Sequence, residues 1–140
     1  MNTKNKPIIG VDIDGVLCDF NGVMQRIFRN SFGVEYSLDQ VTTWHYHECL
    51  PVTQKQFNSA CALFGRQHCE FAPLLPGAAE GMRVLTQDYR IWLITARHDD
   101  TLPQTRRWLE HNGIPHDALI FARGKGEFAD VVSCMIEDSP

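Results

Sequence analysis

The 140-residue chain predicts an α/β fold, a parallel sheet whose first strand is followed by an inserted block of helices. Three observations carry this. Short apolar runs rich in β-branched residues alternate with helical periodicities across residues 1–19 and 74–140, which mark the core. The first run, Ile8-Ile9-Gly10-Val11, ends abruptly in Asp12 and Asp14, and the carboxyl ends of parallel strands are where such folds place ligands. Residues 20–73 show helical spacing without a clear strand, so they are expected to form a separate helical cap.

After Asp19, the residues Phe20, Val23, Met24, Ile27, Phe28 and Phe32 recur at spacings of three and four, and Gly33 follows as a C′ residue. A helix over about 20–32 results. Ser37-Leu38-Asp39-Gln40 and Thr53-Gln54-Lys55-Gln56 both have the form of a capping box, and each predicts a further helix. Trp44 to Pro51 reads as a helix end and loop. Pro73 and Pro76-Gly77 return the chain to the core, where a helix from Ala78 to about Gln87 precedes a second strand, Arg90–Thr95. Thr101-Leu102-Pro103-Gln104 combines a capping box with an early proline and opens a helix that Gly113 and Pro115 stop. Ala118–Phe121 is the third strand. A brief helix around Glu127–Asp130 leads to the fourth, Val132–Ile136.

Composition narrows the function. A 44% hydrophobic chain can bury a real core, and a net charge of −4 with both signs interspersed gives no surface for duplex nucleic acid. Five scattered cysteines with no CxxC pair argue for reduced thiols and a cytoplasmic protein. The polar N-terminus leaves no room for a signal peptide, and no apolar run reaches membrane-spanning length.

Residues two apart on a strand share a face, so Asp12 and Asp14 can project into one crevice while Ile13 packs inward. A calcium loop starting at Asp12 is excluded because its twelfth position, where a glutamate is needed, is Val23. Three other features follow at strand ends: Ile94-Thr95-Ala96-Arg97, Lys125 before the fourth strand, and Glu137-Asp138 after it. Together with Asp12-Ile13-Asp14-Gly15-Val16-Leu17 they resemble, in order, the four motifs of the haloacid dehalogenase (HAD) superfamily.

The resemblance implies a HAD-like Rossmannoid sheet of strand order 4-1-2-3 and a Mg²⁺-dependent phosphatase. On its terms Asp12 is the nucleophile and Asp14 the general acid and base. Thr95 and the Ala96 N–H hold a phosphoryl oxygen, and Lys125 neutralises the phosphate. Asp12, the Asp14 carbonyl and Asp138 hold the metal, with Glu137 as a further ligand or neighbour. Physical chemistry agrees, since a carboxylate can attack a phosphate dianion only if positive charge offsets the repulsion. An aspartate at position 14 favours phosphotransfer over dehalogenation.

Asp-Gly-Val-Leu-Cys-Asp-Phe, the helical insert, Leu-Pro-Gly-Ala, Ile-Thr-Ala-Arg and Ile-Glu-Asp-Ser-Pro are similar to the 5′(3′)-deoxyribonucleotidase branch and its bacterial relatives. A nucleoside monophosphate is then the expected substrate, with Phe20 and the aromatics around Trp44 as candidates to stack on its base. Arg97 either touches phosphate or pairs with a nearby acid. Three alternatives stand beside this: another small phosphate ester, a terminal phosphate on nucleic acid, or a non-catalytic HAD-like module. His45, His47, Glu48 and Cys49 could ligate zinc, although no second ligand cluster follows and surface histidines account for them better. The superfamily continues past its acidic pair with a helix and a fifth strand, whereas this chain stops two residues after Asp138. The fourth strand is therefore expected to be an exposed edge, open to pairing into a homodimer, with Glu137 and Asp138 loosely anchored.

Overall fold

The computed structural model describes residues 3–138. Four strands, β1 (Ile8–Val11), β2 (Arg90–Thr95), β3 (Ala118–Phe121) and β4 (Cys134–Ile136), form one parallel sheet in the order β3-β2-β1-β4. That is the neighbour order expected. The pairings Ile9 with Ile91, Val11 with Leu93, and Val11 with Ile136 place β1 and β2 centrally. Their side chains are almost wholly buried, as near-continuous apolar runs require. β4 is an edge strand with Cys134 and Ile136 exposed, again as expected.

Helix α1 (Phe20–Phe32) opens on Asp19, whose carboxylate accepts the Gly22 N–H at 3.0 Å, and closes on Gly33 in the left-handed region. Helix α3 (Gln54–Leu63) begins with the expected reciprocal box. The Thr53 N–H donates to Gln56 Oε1 at 2.9 Å, and the Gln56 N–H donates to Thr53 Oγ1 at 3.0 Å. It runs on into a π-helical turn, Phe64–His68. Helix α4 (Ala78–Asp88) leads into β2, and α5 (Leu102–His111) connects β2 to β3.

Four details depart from the sequence reading. The Ser37 box forms its Ser37 N–H to Gln40 bond but supports only a 3₁₀ turn, Leu38–Gln40. Val41, Thr42 and Thr43 follow it, and β-branched residues propagate a helix poorly. Within the segment read as a loop lies a one-turn helix, α2 (Tyr46–Cys49), anchored by the buried Tyr46, whose hydroxyl bonds the Asn21 side chain. Thr101 does not cap α5. A 3₁₀ turn, Asp99–Thr101, precedes the helix, so the Thr101 hydroxyl turns back to donate to His98 O at 2.7 Å and Gln104 Oε1 is left buried without a partner. The turn before β4 spans Lys125–Phe128, and β4 itself starts at Cys134, two residues later than read.

One buried cluster runs from the sheet (Ile9, Val11, Ile91, Leu93) into the inserted helices (Phe28, Tyr46, Ala60, Phe64). In the insert it is built on aromatic pairs, such as Tyr46 with Phe57 at a centroid distance of 4.8 Å. The segment leaving the insert is pinned to α5, where the buried Trp108 indole donates to Ala72 O at 2.7 Å and Arg107 pairs with Glu70. No helix among the described residues is long and apolar enough to cross a membrane.

Candidate active site

The site begins where β1 ends. The Asp12 N–H donates to Ile136 O at 3.0 Å, so the end of the central strand is tied to the end of β4 and the acids that follow each strand meet. The next residues form a tight turn. Ile13 is fully buried, and its carbonyl accepts from Val16, Leu17 and Cys18, while the Gly15 N–H donates to Cys18 O. Among the described residues, none of these backbone bonds uses the Asp14 carbonyl.

Asp12, Glu137 and Asp138 each place a carboxylate oxygen within 4.8 Å of the others, the one such group of metal-ligating side chains among the described residues. Lys125 sits over two of them, with Nζ 2.9 Å from Asp12 Oδ1 and also bonded to Glu137. Three carboxyl groups thus face one ammonium. Burial, and then the neighbouring Glu137, push the Asp12 carboxyl up to about 8. The same causes push Asp138 up to about 6. Glu137 is driven up by burial but is held down to about 2 by hydrogen bonds from Asp12 and Lys125. Burial would lower Lys125, yet its bonds to Glu137 and Asp12 keep it raised. A hard divalent cation suits this oxygen set, because its charge would relieve the crowding that raises Asp12 and Asp138.

Thr95 is buried at the end of β2. Its Oγ1 accepts the Arg97 N–H at 3.2 Å, which leaves the hydroxyl hydrogen free to donate. Ala96 follows it on the surface of a cavity of about 1010 Å³ that is also lined by Asp12, Asp14 and Lys125. Phe20, Trp44 and Phe64 line the same cavity, Phe20 edge-on to Phe64 at 4.9 Å and tilted to Trp44 at 6.0 Å. Asp138 lines a second cavity, of about 660 Å³, together with Gly15 and Tyr46. The site therefore lies in the partition between the two.

Of the residues singled out in the sequence, Asp12, Asp14, Thr95, Ala96, Lys125, Glu137, Phe20, Trp44 and Arg97 line one cavity, and Asp138 joins Asp12 from the other side. The Arg97 side chain, left open between phosphate and acid, is buried against Asp14 rather than presented to the cavity as a free cation. His45, His47 and Glu48 are exposed at the surface, and Cys49 donates to Tyr46 O. Sequence reasoning missed the contribution of α3 and its π-helical turn, whose Phe57, Asn58 and Phe64 line the cavity. The Thr53 capping box signals only that a helix begins there, not which of its residues face a cavity.

Sheet order, the helices between β1 and β2, and an acid cluster at the end of the central strand give a HAD-like α/β fold. A hydrolase from Streptococcus pneumoniae superposes with a TM-score of 0.60 at 16% identity, covering 96% of this chain and 84% of that one. A haloacid dehalogenase-like family hydrolase from the same species gives 0.55 at 15% identity, covering 87% and 64%. The chain belongs to the 5′ nucleotidase, deoxy (Pyrimidine), cytosolic type C protein family, whose model matches residues 6–140. By that membership it is a phosphoric monoester hydrolase. Among curated proteins it is 34% identical over 151 residues to one of Chlorobaculum tepidum named "Putative 5′(3′)-deoxyribonucleotidase", covering 99% of this chain and 72% of that protein.

Proposed function

We propose that this chain hydrolyses nucleoside monophosphates in a Mg²⁺-dependent reaction through an aspartyl-phosphate on Asp12. The observation that carries the reading is the Asp12–Lys125 pair at 2.9 Å, set among Glu137 and Asp138 beside a cavity with an aromatic side. Asp12, Asp138 and the Asp14 carbonyl would hold magnesium, with Glu137 fixing Lys125 beside it. The ion would supply positive charge against the phosphate dianion, which the protein provides only in part through Lys125.

The protein's own groups account for the steps. The Thr95 hydroxyl and the Ala96 N–H orient the phosphoryl oxygens, and Lys125 offsets their charge. The Asp12 carboxylate attacks phosphorus in line, a bond from its oxygen to phosphorus forms, and the ester P–O bond breaks with its electron pair. Asp14 gives its proton to the departing alkoxide and then takes one from the water that attacks the phosphorylated Asp12. Inorganic phosphate leaves, with the Asp12 carboxylate and the protonated Asp14 restored.

Residues 20–73 act as a cap in this account, and its aromatics beside the phosphate site support a base-bearing leaving group. The name of the Chlorobaculum relative points the same way. Five free thiols fit a cytoplasmic setting, and the exposed β4 edge is where a second copy would pair. The test is Mg²⁺-dependent phosphate release from a panel of nucleoside 5′- and 3′-monophosphates, sugar phosphates, short-chain acid phosphates and 5′-phosphorylated oligonucleotides. The reading requires the nucleoside monophosphates to show the highest kcat/KM. Preference for another class would reassign the substrate, and no release from any would refute the enzyme.

A further inference from the structure

Each of the three side-chain nitrogens of Arg97 donates to a protein partner, and the steps above leave the residue without a task. Its Nε donates to Asp14 Oδ2 at 2.9 Å and its Nη2 to Asp14 Oδ1 at 2.7 Å, a two-pronged pairing across 83 residues of sequence. Nη1 donates to Thr105 Oγ1 of α5 at 3.0 Å. The guanidinium carbon lies 5.5 Å from the Phe64 ring centre and 5.8 Å from that of Trp108. Only 4% of the Arg97 side chain is exposed, against 17% for Asp14. Three of the five N–H groups of Arg97 are thereby committed to protein partners, with the guanidinium held between two rings.

A forked guanidinium fixes both oxygens of a carboxylate in one plane, which an ammonium cannot do. The same guanidinium packs on Phe64, which touches Phe20 in the cavity. Thr105 and Trp108 fix it from the core side. Arg97 therefore joins three parts: the acid next to the reacting centre, the helix that follows β2, and the aromatic side of the insert.

We propose that Arg97 is a positioning residue that aims the Asp14 carboxylate at the leaving-group oxygen and holds that aim to the aromatic side of the cavity. The inference rests on the hydrolase reading above, in which Asp14 transfers the proton. It predicts a dependence on the leaving group. An alkoxide needs a proton as it departs, whereas p-nitrophenolate leaves without one, so misaiming Asp14 harms the first far more than the second.

The experiment compares wild type, Arg97→Lys, Asp14→Asn, the double variant and Thr105→Val on a nucleoside 5′-monophosphate and on p-nitrophenyl phosphate with Mg²⁺. Arg97→Lys keeps the charge and loses the fork. It is expected to lower kcat on the nucleotide by roughly 10-fold to 100-fold with KM little changed, and kcat on the aryl ester by less than about 3-fold. Thr105→Val, which removes one bond to Arg97 and leaves Asp14 untouched, should show the same bias more weakly. In the Asp14→Asn background, Arg97→Lys should cost nothing further on the nucleotide, because two residues acting through one function are not additive. Equal losses on both esters, or a full additional loss in the double variant, would overturn the proposal and leave Arg97 a structural ion pair. Those results are distinct from failure of the hydrolase reading, in which wild type itself releases no phosphate from either ester and both proposals fall.

Discussion

Gly15 and Asp138 are in contact: a methyl group built on Gly15 would lie 1.8 Å from Asp138 Oδ2. Gly15 also has φ +80, a conformation that costs an L-residue about 1–2 kcal/mol. Gly15→Ala is thus expected to lower stability by about that amount and to push the Asp138 carboxylate out of the acid cluster. Isothermal titration with Mg²⁺ should show at least roughly tenfold weaker binding, in keeping with the effect of disturbing the surroundings of a metal ligand. Unchanged affinity would mean that Asp138 is not needed to hold the ion.

Among the described residues Lys125 is the one cation bonded to Asp12, and it bonds Glu137 as well. Lys125→Met should lower kcat by roughly 10²–10³-fold, the usual cost of losing one charge-stabilising donor. Steady-state kinetics on any accepted ester checks this, and a loss smaller than about 3-fold would place the lysine outside the reaction.

On the proposed reading, protons and Mg²⁺ compete for the same oxygens. Asp12 is raised to about 8 and Asp138 to about 6, so the folded protein holds protons that the unfolded chain has given up. Without metal, their contribution to stability is fully present below about pH 4 and is lost as pH rises through 6 and then 8. Glu137, lowered to about 2, adds stability above its ordinary range and loses it only as pH falls towards 2, so it is constant across this window. Metal-free Tm should therefore fall from pH 5 to pH 8, and the rise in Tm caused by saturating Mg²⁺ should be larger at pH 8 than at pH 6. Thermal scans with and without Mg²⁺ read both effects.

Trp44 is only half-buried, so its removal can be read on binding more than on folding. Trp44→Ala is expected to raise KM for a nucleoside monophosphate by roughly 5-fold to 100-fold, corresponding to about 1–3 kcal/mol of base stacking, with KM for p-nitrophenyl phosphate nearly unchanged. Equal shifts for both substrates would remove Trp44 from base recognition.

The elements legible in the sequence are those with a local physical cause. β1 and β2 were visible because strands covered on both faces read as unbroken apolar runs, and α1 because its apolar stripe is bounded by Asp19 and Gly33. The 3₁₀ turn at Leu38–Gln40 was misread as a helix because a capping box reports only how a turn starts. Propagation depends on the residues that follow, and Val41, Thr42 and Thr43 oppose it. At the site, Asp12, Lys125, Glu137 and Asp138 stand out in the sequence through the order in which they resemble the HAD motifs. The Arg97–Asp14 fork and the Gly15–Asp138 contact were not, because each joins residues more than eighty positions apart whose meeting is fixed only by the packing of the sheet ends.

The central claim is that phosphorus becomes bonded to Asp12. The most direct measurement is acid quenching of wild-type protein during turnover of radiolabelled nucleoside monophosphate, followed by mapping of the label. The account predicts label on the peptide containing Asp12, released by hydroxylamine as an acyl phosphate is, and no label or turnover in Asp12→Asn. Turnover by Asp12→Asn at the wild-type rate, or label confined to another residue, would contradict it.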